Sequence, residues 1–108
     1  MKILSRADEL VLLSVWRLQS NAYGVTIRNH VIESTEENWS IGAIYVPLDR
    51  LTKQGLLKAI DGEPTSERGG KRKRYYRLTP LGIKALQHCL SVHDKMWKDL
   101  PDLSVDSL

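Results

Sequence analysis

The sequence predicts a mainly helical α+β fold: three helices, a two-stranded hairpin and a fourth helix. Three observations carry this. Apolar residues recur at helical spacing in three consecutive segments between Glu9 and Lys53. From Leu57 the period shortens to strand-like alternation on both sides of a stretch rich in Gly and Pro. Thr79-Pro80, an N-cap residue followed by proline, then restarts a helix that runs to about Lys98.

Ser5-Arg6-Ala7-Asp8 has capping-box spacing, with Ser5 as N-cap and Asp8 reaching back. The first helix follows from Glu9 to Leu18. Leu10, Val11, Leu12, Leu13, Val15, Trp16 and Leu18 leave it almost no polar face, so more than one side must be covered. Asn21 to Gly24 breaks the pattern, and Gly24 admits a neighbouring backbone. Val25, Ile27, Val31 and Ile32 make the second helix. Ser40 caps the third, whose inward stripe is Ile41, Ile44, Leu48 and Leu51. Gly42, Ala43, Tyr45, Asp49, Arg50 and Lys53 occupy its other face. Pro47 removes one backbone bond and is expected to bend it. Gly55 suits the left-handed position after a helix end.

Leu57 to Asp61 reads as the first strand, and Gly62, Pro64, Thr65, Ser66, Gly69 and Gly70 mark a loop. In the second strand, Arg74 to Leu78, Tyr76 and Leu78 share one face and Tyr75 and Arg77 the other. Along the last helix Leu86, Cys89, Leu90, His93, Met96, Trp97 and Leu100 form an apolar stripe. Pro101 ends it. Three helices followed by a two-stranded wing is the layout of a winged helix-turn-helix, in which the third helix enters the DNA major groove. The division expected is a DNA-binding domain over residues 1–79, a dimerisation helix over 80–100 and a flexible tail over 101–108.

The 108 residues suit one domain with a modest core, and no apolar run is long enough to span a bilayer. The first residues lack the apolar core and cleavage site of a signal peptide, so a cytoplasmic protein with no membrane partner is expected. A lone cysteine, Cys89, allows no internal disulfide and reads as a small buried hydrophobe rather than a reactive thiol. His30, His88 and His93 lack metal-site spacing, and no cofactor loop, nucleophile elbow or paired carboxylate is visible. Neither metal, cofactor nor enzymatic activity is expected.

Net charge is only +3, but its placement is informative. Between Arg68 and His93 no Asp or Glu occurs, while seven of the 16 basic residues do. By itself such a run is as well explained as a solvated face as by a polyanion partner. Combined with a helical triplet, Lys71, Arg72, Lys73 and Arg74 point to phosphate contacts with double-stranded DNA. The small residues Ser40, Gly42 and Ala43 permit close approach to base edges, and Tyr45 and Lys53 add phosphate contacts. Leu10, Leu13, Leu86, Cys89, Leu90, His93, Met96 and Trp97 are the expected seam of a homodimer. Trp97 reads as interface packing or as one wall of a pocket for a small aromatic effector. Two rival functions stay open: a ligand sensor on the same fold, and a protein-interaction module with little DNA binding.

Leu48-Asp49-Arg50-Leu51-Thr52-Lys53-Gln54-Gly55-Leu56-Leu57 and Gly69-Gly70-Lys71-Arg72-Lys73-Arg74-Tyr75-Tyr76-Arg77-Leu78-Thr79-Pro80-Leu81-Gly82 resemble the PadR family of bacterial regulators. Tyr23-Gly24-Val25-Thr26-Ile27 and Ile44-Tyr45 fit the same pattern. The resemblance spans roughly residues 8–90. It implies a winged-helix dimer that represses transcription through an inverted-repeat operator, with the C-terminal helix as dimerisation element, as in the smaller subfamily. By position, it implies that Tyr23, Ser40, Ala43, Tyr45 and Lys71 to Arg74 meet DNA. Two departures stand out. The family pattern has proline directly after the tyrosine of the third helix, whereas here Val46 intervenes before Pro47. Some small relatives carry tryptophan on the dimer helix where this chain has His93, and Trp97 lies one turn further on.

Overall fold

A computed structural model describes residues 1–64 and 72–108. The element order is α1 (Arg6–Leu18), α2 (Gly24–Thr35), α3 (Ile41–Lys53), β1 (Leu57–Pro64), β2 (Arg72–Leu78) and α4 (Pro80–Trp97). Short 3-10 turns follow α1 at Gln19–Asn21 and close the chain at Val105–Ser107.

Helix α1 starts at Arg6 because the Ser5 hydroxyl accepts from the Asp8 N–H at 3.2 Å. Asp8 does not reach back, as a full capping box requires. Its largely buried carboxylate pairs with Arg50 of α3 instead. A guanidinium is a stronger partner for a carboxylate than a neutral backbone N–H. Arg50, though still exposed, therefore also ties α3 to α1. Ser14, also buried, bonds His30 Nδ1 of α2 at 2.7 Å. Val11, Leu12 and Val15 are covered by the chain's own fold, and Leu13 and Trp16 are left exposed.

At the entry to α2, the Thr26 hydroxyl accepts from the Tyr23 N–H at 3.0 Å and donates to the Asn21 carbonyl at 2.6 Å. The turn into α3 is tied by Arg28 Nε donating to the Trp39 carbonyl and by Trp39 Nε1 donating to Thr35. The Ser40 hydroxyl accepts from the Ala43 N–H at 3.1 Å and begins α3. Ile44, Pro47, Leu48 and Leu51 are its buried residues. Ile41 is not among them. At 63% exposure it stands outside the core, at the edge of the buried stripe, and Trp39 just ahead of the helix packs against the core instead. The helix continues through Pro47, whose ring faces the core. Gly55 ends the segment with φ of 81°, as expected from its position.

The hairpin is antiparallel, pairing Leu57 with Leu78 and Ala59 with Tyr76. The first strand outruns the expected Asp61. A register shift between Asp61 and Pro64 lets Pro64 pair with Arg72, so Gly62 and Pro64 lie in the strand rather than in a loop. Thr65, Ser66, Gly69, Gly70 and Lys71, which the sequence assigns to loop and wing, lie outside the described residues. Tyr76 is buried and Leu78 partly so, while Arg77 points outward, as the alternation predicts. The Tyr76 N–H donates to the Ala22 carbonyl at 2.9 Å, which seats the hairpin on the helices.

Helix α4 is capped by the Thr79 hydroxyl, which also donates to the Gly55 carbonyl. Gly82 lies against the Leu56 carbonyl, where a Cβ would collide with backbone. Gly82→Ala is expected to destabilise the fold by about 1–3 kcal/mol, read as a lower urea midpoint with unchanged slope. Only the first half of α4 is packed. Gly82, Ala85 and Cys89 are buried, whereas Leu90 (60%), Met96 (70%) and Trp97 (54%) are exposed. No helix among the described residues is long and apolar enough to cross a membrane.

Candidate nucleic-acid interface

Two surfaces stand out. The first joins the start of α2, the exposed side of α3 and the hairpin. Tyr23, Gly24, Tyr45, Asp49, Lys73, Arg74 and Tyr76 line a cleft of about 350 Å³ there. Tyr23 is its organiser. An isolated bridge pairs it with Tyr75, whose ring meets it edge-on at 5.5 Å. Lys73 Nζ lies 4.5 Å from the centroid of the Tyr23 ring, a cation–π contact that steadies a long side chain. Gly24 lets the Tyr45 ring pack directly onto it, since a Cβ there would overlap the hydroxyl and push the ring aside. The neighbour that Gly24 admits is thus a side chain and not the backbone expected.

Arg74 lies 3.7 Å from Asp61 across the hairpin, so this wing residue does have a nearby acid. Register decided this, since Asp61 stands directly opposite Arg74 although 13 positions away. Both groups are more than half exposed, and such a pair is weak enough to open for a phosphate. Burial pushes the Tyr76 phenol above its ordinary pKa, with the Arg74 charge acting in the opposite direction. The phenol therefore keeps its proton at neutral pH and adds no negative charge to the cleft.

The structure brings Tyr23, Tyr45, Lys73 and Arg74 together at this cleft. Ser40 and Gly42 are exposed and Ala43 is partly so at the start of α3, and Lys53 is exposed near its other end, outside the cleft lining. Lys71 and the Arg72 side chain lie outside the described residues. Sequence reasoning did not select Tyr75, Asp49 or Val46. The period-two alternation that placed Tyr75 opposite Tyr76 was the available signal for the first. For Val46, 60% exposed, the signal was its place between Tyr45 and the inward-facing Pro47.

The second surface lies between α1 and α4. Leu13, Trp16, Leu78, Ile83, Leu86 and Leu90 form a mostly apolar groove of about 520 Å³, with Arg6, Glu9, Gln87 and His93 at its edges. Leu10, half-buried, instead borders a second hollow between α1 and α2 that includes Ser14 and His30. His93 stacks on Trp97 at 5.6 Å. Cys89 is already covered by its own chain at 6% exposure. Among the described residues no group of three or more His, Cys, Asp or Glu side chains is placed to hold a metal ion.

The model of the transcriptional regulator PadR-like family matches residues 12–88. A search of the curated proteins finds no match. Among solved structures, the chain is similar to a transcriptional regulator from Clostridium thermocellum at 26% identity and a TM-score of 0.68, covering 89% of this chain and 93% of that one. It is also similar to a PadR family transcription regulator from Clostridium difficile at 23% identity and a TM-score of 0.65, covering 87% and 92%. A mutant of S. aureus MepR bound to an oligodeoxyribonucleotide shares the fold at 16% identity and a TM-score of 0.63, covering 96% of this chain and 69% of that one.

Proposed function

The chain belongs to the PadR-like family of transcriptional regulators, not of enzymes, and from that premise we propose that it is a repressor that binds an inverted-repeat operator as a homodimer. The observation that carries this is the gathering of Tyr23, Tyr45, Lys73 and Arg74 from three elements at one cleft beside the exposed start of α3. In this reading α3 enters the major groove and Ser40, Gly42 and Ala43 approach base edges. Lys71 to Arg74, Tyr23, Tyr45 and Lys53 hold the phosphates. A structural neighbour bound to an oligodeoxyribonucleotide supports it. Residues 1–79 serve as the DNA-binding domain, 80–100 as the dimerisation helix and 101–108 as a tail. The protein acts in the cytoplasm.

The test is selection of bound fragments from genomic DNA, followed by Ala43→Arg. The expected outcome is an enriched inverted repeat whose preference the variant loses, while its affinity for unrelated duplex stays within about threefold. Operator preference surviving in Ala43→Arg would move base readout elsewhere.

The apolar groove between α1 and α4 favours a second reading on the same fold, a sensor of a small aromatic effector.

A further inference from the structure

On the exposed side of α3, Gly42, Val46, Asp49 and Lys53 follow one another at i, i+4, i+7 and i+11. This stripe lies opposite the buried Ile44, Leu48 and Leu51. Gly42 has no side chain, and a Cβ placed there would touch nothing. The first side chain to project from the middle of the stripe is therefore Val46. It is 60% exposed, and Pro47 beside it takes the inward position. One turn on, Asp49 puts an exposed carboxylate on the same stripe. A carboxylate is repelled by phosphates and is accommodated in the groove by the amino groups of bases. The centre of this stripe thus suits base edges, with the cations Lys53, Lys73 and Arg74 at its borders.

The major groove carries one apolar group, the C5-methyl of thymine, and a branched aliphatic side chain is its complement. We infer that Val46 is a specificity-determining residue that packs against a thymine methyl in each operator half-site. This rests on the DNA-binding reading above and adds to it the base and the atom recognised. Contact with the methyl removes both apolar surfaces from water. The expected effect is about fourfold in affinity for each methyl contacted. No other residue of the stripe replaces Val46 in this role, since Gly42 has no side chain and Asp49 and Lys53 are charged.

The experiment uses the full chain and synthetic duplexes built on the fragment it enriches most from genomic DNA. Each thymine of a half-site is replaced in turn by deoxyuridine, which removes only the methyl. The unmodified protein is expected to lose about fourfold at one thymine of each half-site. Val46→Ala, an exposed change that leaves the core untouched, is expected to bind the thymine and deoxyuridine duplexes equally. Indifference of the unmodified protein to every deoxyuridine overturns the inference while leaving operator binding intact. The same deoxyuridine penalty in Val46→Ala also overturns it, because another residue then touches the methyl. Failure to enrich any fragment overturns the DNA-binding reading and this inference together.

Discussion

Leu90→Glu is expected to turn a dimer into a monomer and to abolish operator binding at concentrations where the unmodified protein is saturated. The reason lies in what the chain leaves uncovered. Leu90 is 60% exposed and lines the groove with Leu13, Trp16 and Leu86. Met96 and Trp97 continue the apolar surface along the unpacked half of α4. Apolar surface of this extent is seldom left in water on a monomer, and a second copy related by two-fold symmetry is the commonest cover. A carboxylate at position 90 would then be buried without a partner, at roughly 3 kcal/mol or more in each subunit. Sedimentation at micromolar concentration reads the change directly. The DNA consequence follows from geometry, because two recognition helices engage one inverted repeat only when the seam holds them about one helical turn apart. A well-folded monomer for the unmodified protein at that concentration would reject the dimer.

Replacing Lys71, Arg72, Lys73 and Arg74 together with alanine is expected to weaken binding to specific and unrelated duplexes alike. The loss should be roughly tenfold for each phosphate contact removed. The plot of log affinity against log salt should flatten by about 0.9 per contact. Two of these side chains already show how the wing is prepared. Lys73 rests on the Tyr23 ring and Arg74 on Asp61, contacts that hold the charges near the cleft without quenching them. Because phosphates carry no sequence information, operator preference should survive even as affinity falls. An unchanged salt slope would mean that the wing does not touch the backbone.

Much of the fold was legible because its signals are local. Ser5, Ser40 and Thr79 were readable as caps since each hydroxyl serves an N–H three residues ahead. Gly55 was readable because the left-handed backbone it adopts costs other residues more. The alternation that buries Tyr76 and Leu78 together needs only the two-residue pleat. Tyr45, Lys73 and Arg74 were readable from helix position and charge, the family resemblance added Tyr23, and the fold does bring the four together.

Other features were decided at a distance. The first turn of α3 keeps the helical phase of its buried stripe, yet Ile41 is exposed and Trp39, just ahead of the helix, packs against the core instead. Periodicity reports direction around a helix and not how far along it a neighbour extends. Asp8 had the spacing of a cap, but Arg50, 42 positions later, arrives within reach once α3 crosses α1. Asp61 and Arg74 meet because of strand register, which no single stretch of sequence carries. The sequence alone thus determined where each element begins and how its faces alternate, since those depend on neighbours within about one helical turn or one pleat. Only the tertiary structure chose the partners of Asp8, Arg74 and Gly24 and the exposure of Ile41 and Val46. Charge pairing and burial depend on which elements come to lie side by side.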